Sequence, residues 1–326
     1  MDLINFLALT VIGIGVGIIA SLVGISGGAF KTPILIIGFG VIAEIAAASS
    51  LISALFVAVA STIGYYRQDP KLIGFKIGLL FIFTTIPGSY VGILLRTYIA
   101  DREMLQFIFG VVLFPVAVKL LLALPQTRDQ EKQEIRAPPF YQLGAKKVLI
   151  AVLAAFFAGV LAGFIGLGGG TVIVPVLCML LEFPMIAAAA TSMFTMMFTS
   201  SAGTIINFAF IHQSEYLFTF LFYGLALGIG TLLGGSIGSR SAYKVETAQL
   251  QRLFGFLLIF PLVTMMRLGQ FWFDPTGSDY FLITTGNIII WLILGIPIWL
   301  LATHYITPRK RREKQSITDE TSPSTG

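Results

Sequence analysis

Two glycine clusters carry the spacing from which a binding chemistry can be read. Gly24-Ile25-Ser26-Gly27-Gly28-Ala29 is followed by Lys31 and Pro33, and Gly166-Leu167-Gly168-Gly169-Gly170-Thr171 by Pro175. The clusters recur 142 residues apart, each inside an otherwise apolar run. Glycine reaches φ > 0 and lets a ligand come close to main-chain N–H groups. A helix starting just after such a break, near 29–33 or 171–175, aims its unbonded N–H groups and positive dipole end back at the break. Proline is accepted in that first turn. The chemistry implied is anion binding through backbone amides, with Ser26, Gly27, Gly28, Gly168, Gly169, Gly170 and Thr171 as candidate ligands. The other reading of these glycines is close helix packing.

The next helix of each half brings hydroxyls to matching positions. Ala48-Ser49-Ser50 falls on Ala190-Thr191-Ser192, so Ser49, Ser50, Thr191 and Ser192 are candidate donors to the same anion. Back-bonding to their own helix is the alternative. Lys31 is the full charge nearest a break, and Ile173 stands at its equivalent. It serves either as the counter-ion of the anion or as a side chain that snorkels to the membrane face. Glu44 and Glu182 are read as opening the helices after the short segments, where acidic residues suit the dipole. Gly224, Gly228, Gly230, Gly234, Gly235 and Gly238 form small-xxx-small rows that read as packing. Gly13, Gly15, Gly17, Gly159 and Gly163 are expected to leave room for distortion or tilt.

These residues must be positioned inside a membrane. Of 326 residues, 56% are hydrophobic and 11% charged, against about 25% charged in a soluble domain. Windows of about 19 residues give apolar pieces at 3–24, 30–43, 44–66, 72–95 and 103–124. The order repeats at 147–166, 171–182, 185–210, 215–238 and 250–268, with one further piece at 283–305. The expected fold is all-α and polytopic. Two repeats, 1–124 and 147–270, each hold a glycine-broken re-entrant helical hairpin plus three transmembrane helices. A cytosolic linker, 125–146, joins them. An extra C-terminal transmembrane helix, 283–306, and a disordered basic tail, 307–326, follow. A helix over 171–182 rises about 18 Å against roughly 30 Å of hydrocarbon, so it turns back.

Charge sets the orientation. Sixteen of the 21 Lys and Arg lie in the gaps at 67–76, 128–147, 240–252 and 309–314. Basic loops face the cytosol, which puts the N-terminus outside, the C-terminus inside and the two halves in inverted topology, as in many secondary transporters of the plasma membrane. The expected partners are the bilayer, a small anionic substrate and a coupled H+ or Na+. The net charge of +5 does not point to nucleic acid. Two histidines and the single Cys178 build no zinc site, and no cofactor is expected.

Two rival functions fit parts of the chain. A passive anion channel would show polar rings at regular depth, where this sequence has glycine turns. Gly24-Ile25-Ser26-Gly27 spells GxSG, which resembles the serine motif of rhomboid intramembrane proteases. That chemistry needs a histidine base. His212 and His304 fall near the ends of their segments, and the repeat partner of Ser26 is Gly168.

The paired GISGGAFKTPIL and GLGGGTVIVPVL, followed by AAASS and AAATS, resemble the sulfite exporter TauE/SafE family of membrane permeases. The resemblance covers roughly 5–124 and 147–268, with Ser26 and Lys31 departing from a plain glycine-rich pattern. It implies an inner-membrane transporter of small sulfur-containing or carboxylate anions, such as sulfite, sulfoacetate or organosulfonates.

Overall fold

The computed structural model describes residues 3–98, 136–166, 168–211, 215–242, 244–245, 247–265, 268–274 and 280–304. The expected piece 103–124, the linker as far as residue 135 and the tail 307–326 lie outside them. The first half gives α1 (Leu3–Val23), α2 (Gly28–Pro33), α3 (Ala43–Gln68) and α4 (Phe75–Tyr98). The second gives α5 (Ala145–Ile165), α6 (Gly170–Met179), α7 (Met185–Ile211), α8 (Leu217–Ala242) and α9 (Thr247–Met265). A short α10 (Leu268–Phe273) and a long α11 (Tyr280–His304) follow. No strand occurs among the described residues. Among the described residues six helices (α1, α3, α4, α5, α7 and α8) are long and apolar enough to cross a membrane.

The short helices start earlier than the proline spacing suggests. They begin at Gly28 and Gly170, so Pro33 and Pro175 fall past the first turn. Proline has no N–H to continue the i→i−4 ladder. After Pro33 the chain opens into a π turn, Ile34–Gly38, while Pro175 is held inside α6. At ten residues α6 rises only about 15 Å. Glu182 also departs from expectation. It lies in the turn ahead of α7 with φ 58° and pairs with Lys147, so it does not open that helix. Glu44 does sit in the first turn of α3.

Packing follows an exchange of halves. The central helices α3 and α7 lie against each other, with Ala46–Ala48 and Ala187–Ala190 buried along them. Outside α3 comes α8, and outside α8 comes α1; outside α7 comes α4, and outside α4 comes α5. Each half thus packs the outer helices of the other. Glycine makes this possible by letting backbones touch. A Cβ at Gly230 or Gly234 of α8 would lie 2.1 Å from the Thr10 or Ile14 carbonyl of α1. On the other side, a Cβ at Gly88 or Gly92 of α4 would strike the Phe156 or Val160 carbonyl of α5 at 2.3 or 2.1 Å. Gly13, Gly17, Gly159 and Gly163 face these rows at 2.1–2.7 Å from neighbouring carbonyls. They are packing surfaces and not room for distortion. Gly15 alone of that group has nothing within 4 Å.

The outward faces carry large apolar side chains, among them Val11 at 68% and Phe83 at 76% exposed. Water would not tolerate a continuous surface of this kind. At one end, Arg136 pairs with Asp69 at 2.9 Å and the Ala137 amide donates to the Lys71 carbonyl at 3.1 Å. These contacts tie the end of the linker to the turn between α3 and α4.

Candidate functional site

The two glycine breaks share left-handed glycines at two matched positions and differ at a third, where Gly168 has φ 68° and Ser26 does not take a positive φ. Gly24 and Gly27 have φ of 80° and 70°; Gly166 and Gly169, 142 residues on, both have 78°. Gly27 caps α2 and Gly169 caps α6 in the left-handed region. The Gly27 carbonyl accepts from the Phe30 and Lys31 amides, and the Gly169 carbonyl from those of Val172 and Ile173, all at 3.0–3.1 Å. Only glycine takes this conformation without a steric cost, which is why these positions read so strongly in the sequence.

The two breaks are packed against each other. A Cβ at Gly168 would lie 2.4 Å from Cβ of Ser26, its own repeat partner. Gly24 is pressed on Ala189 and Gly166 on Ala47, another exchanged pair. Gly170 approaches the Gly24 carbonyl, at 2.6 Å from a Cβ placed on it. Two hydroxyls complete the pattern. Ser50 donates to the Gly166 carbonyl at 3.0 Å, and Ser192 to the Gly24 carbonyl at 2.8 Å.

The structure therefore gives the predicted hydroxyls partners of their own. Ser50 and Ser192 brace the opposite break, and neither is back-bonded to its own helix. Ser49 donates to the Phe220 carbonyl at 3.0 Å, while Thr191 accepts the Gly74 amide at 2.9 Å. Both of these contacts join a central helix to the other half. Ser26 accepts the Gly28 amide at 3.2 Å and is fully buried. It acts as a turn residue of the first break. Thr171 differs from the others: its hydroxyl is buried, on a side chain 2% exposed, with no hydrogen-bond partner. It sits in the first turn of α6, where helix amides also lack partners within the helix.

Lys31 does not snorkel. It is fully buried, and its ammonium donates to Ser53 Oγ at 2.8 Å. Ser53 stands 3.4 Å from Thr231 Oγ1 on α8. Among the described residues the break region thus combines one cation, a ten-residue helix start and an unpartnered hydroxyl.

A further polar feature was not anticipated. Thr191, Thr195, Thr199, Gly203 and Asn207 recur every four residues along α7 and so share one face. Opposite them on α4, Thr85 meets Thr199 hydroxyl to hydroxyl at 2.7 Å, and Arg96 donates to Asn207. Ser89 borders Gly203, with its hydroxyl buried and unpartnered. The counterpart on α3 is Ser49, Ser53, Val57, Ser61 and Tyr65. The four-residue repeat of hydroxyls was the available signal.

Long apolar helices, two interlocked halves and a polar centre built on broken helices define a multi-pass membrane protein of the transporter class. The chain belongs to the sulfite exporter TauE/SafE family, whose sequence model matches residues 9–265. It is 28% identical over 270 residues to the probable membrane transporter protein YunE of Bacillus subtilis, covering 78% of this chain and 95% of that protein. It is 25% identical over 260 residues to a probable membrane transporter protein of Methanocaldococcus jannaschii, covering 77% and 91%. A probable membrane transporter protein of Xylella fastidiosa is 25% identical over 247 residues, covering 75% and 88%. No solved structure matches the chain significantly.

Proposed function

We propose that this protein is a secondary transporter that carries a small anion, a sulfur oxyanion or an organosulfonate or carboxylate, across the plasma membrane by alternating access. The observation that carries the proposal is the meeting of the two breaks. The first turn of α6, with the unpartnered Thr171 hydroxyl, follows one break, and the buried Lys31 ammonium follows the other. Helix starts and buried cations both favour negative charge. The exchanged packing of α1 and α3 with α8, and of α5 and α7 with α4, supports two inverted-topology repeats whose hairpins turn back within the bilayer. In this reading α11 is an added crossing, the N-terminus is outside and the C-terminus is cytosolic. The breaks are closed off from solvent, so loading requires one half to move against the other, which is how inverted repeats alternate access.

A screen of purified protein against sulfite, thiosulfate, sulfoacetate, taurine and simple carboxylates, read by thermal shift, tests the substrate class. Uptake into proteoliposomes under an imposed pH or Na+ gradient tests the mechanism. Accumulation of a solute against its own gradient is expected. Uptake that only equilibrates would mark a pore, and indifference to every anion would remove the substrate reading.

A further inference from the structure

The first break carries a charge that its copy lacks. Lys31 Nζ is held by the Ser53 hydroxyl of α3, and Thr231 Oγ1 of α8 lies 3.0 Å from the Ser53 carbonyl. The lysine stem lies over the break, since a Cβ at Gly27 would stand 3.4 Å from Lys31 Cε. From α1 the same spot is faced by Val16 and Ala20. No carboxylate or other charged side chain pairs with Lys31 among the described residues. In the second half Ile173 stands at the position of Lys31 and Thr195 at that of Ser53. Thr195 is back-bonded to the Thr191 carbonyl at 3.0 Å. The second half thus keeps a hydroxyl at the position of Ser53 but has no ammonium at that of Lys31.

An ammonium removed from water without a counter-charge is costly, and an anion bound beside it offsets that cost. Lysine is also the cation that exchanges its proton when buried, whereas arginine stays charged. We propose that Lys31 is the coupling group of the transporter. It holds a proton while the anion is bound beside it and releases that proton when the anion leaves, so that one proton and one anion cross together. The inference rests on the anion-transport reading and adds to it the identity of the coupling ion and the residue that carries it.

The test uses the full chain in proteoliposomes, with the membrane potential clamped and radiolabelled thiosulfate and methanesulfonate as probes. Neither probe takes up a proton near neutral pH, so any proton that moves is carried by the protein. With acid outside, wild type is expected to accumulate methanesulfonate up to about tenfold per pH unit, the limit for one proton per anion. Lys31→Arg should bind and self-exchange the probe but not accumulate it, because its charge cannot cycle. Lys31→Ile, which copies the second half, should bind weakly and show no pH-driven accumulation. Accumulation by Lys31→Arg equal to wild type, or wild-type flux indifferent to the pH gradient, would overturn the inference. Failure of wild type to bind or move either probe at any pH would instead overturn the anion reading beneath it. If the variants are not monodisperse, wild type alone decides. Adding methanesulfonate to weakly buffered protein should take up about one proton per chain, and no uptake would refute the role of Lys31.

Discussion

Ser50 donates its hydroxyl proton to the Gly166 carbonyl at 3.0 Å, across the boundary between the two halves. Ser192 does the same for Gly24 at 2.8 Å. Removing either hydroxyl leaves a buried carbonyl without a donor, which costs about 1–3 kcal/mol. Ser50→Ala and Ser192→Ala should each lower the midpoint of thermal unfolding in detergent. Ser236→Ala, at an exposed hydroxyl bonded within its own helix, should change it little.

The contact between Ser26 and Gly168 predicts a coupled pair. Gly168→Ala places a Cβ 2.4 Å from Ser26 Cβ and forces a side chain to φ of 68°. Ser26→Gly removes the first problem but not the second. The double variant should be more stable than the sum of the single losses implies, by roughly 1 kcal/mol or more. Simple additivity would mean that the two breaks do not meet at these residues.

Glycine rows should separate sharply by position. Gly92→Leu drives a side chain into the Val160 carbonyl of α5, 2.1 Å from its Cβ, and should abolish the monodisperse folded species. Gly15→Ala meets nothing within 4 Å and should be neutral or stabilising by about 0.5–1 kcal/mol, the helix preference of alanine over glycine. Size-exclusion profiles of the two variants give the comparison.

The linker attachment should weaken in acid. The Lys71 amide holds the Asp69 carboxyl below its ordinary value of 3.8, with the Arg136 side chain adding to the effect. A carboxylate depressed in the folded state contributes stability that is present above its unfolded pKa and lost as pH falls through the folded one. Limited proteolysis near residue 136 by an acid-active protease should therefore speed up below about pH 4. Asp69→Asn should be cut readily at every pH and lose that dependence.

Much of this arrangement is legible in the sequence. The glycine breaks, the short segments after them and the order of apolar pieces all declare themselves locally, because backbone conformation and hydrophobic length are local properties. Partners were not legible. Nothing near Ser50 in the chain indicates that its acceptor is Gly166, 116 residues away. Nor does the spacing of Gly88 and Gly92 say that α5 covers them. Glu182 departs from expectation for a similar reason: Lys147, its partner, lies two helices earlier, at the start of α5. The hydroxyls of α7 were visible at four-residue spacing, but their meaning depends on α4 lying opposite.

The exchanged packing also bears on how such a chain is made and altered. α1 and α3 emerge early but find their main neighbour, α8, only after about 190 and 150 further residues have been synthesised. The N-terminal copy must wait, unfinished, until its sibling arrives. For the same reason a bulkier residue at Gly230 has to be answered at Thr10 and Gly13 of α1, which it touches. Matching segments of the two halves are thus free to differ from each other, while each stays bound to the segment of the other half that it touches.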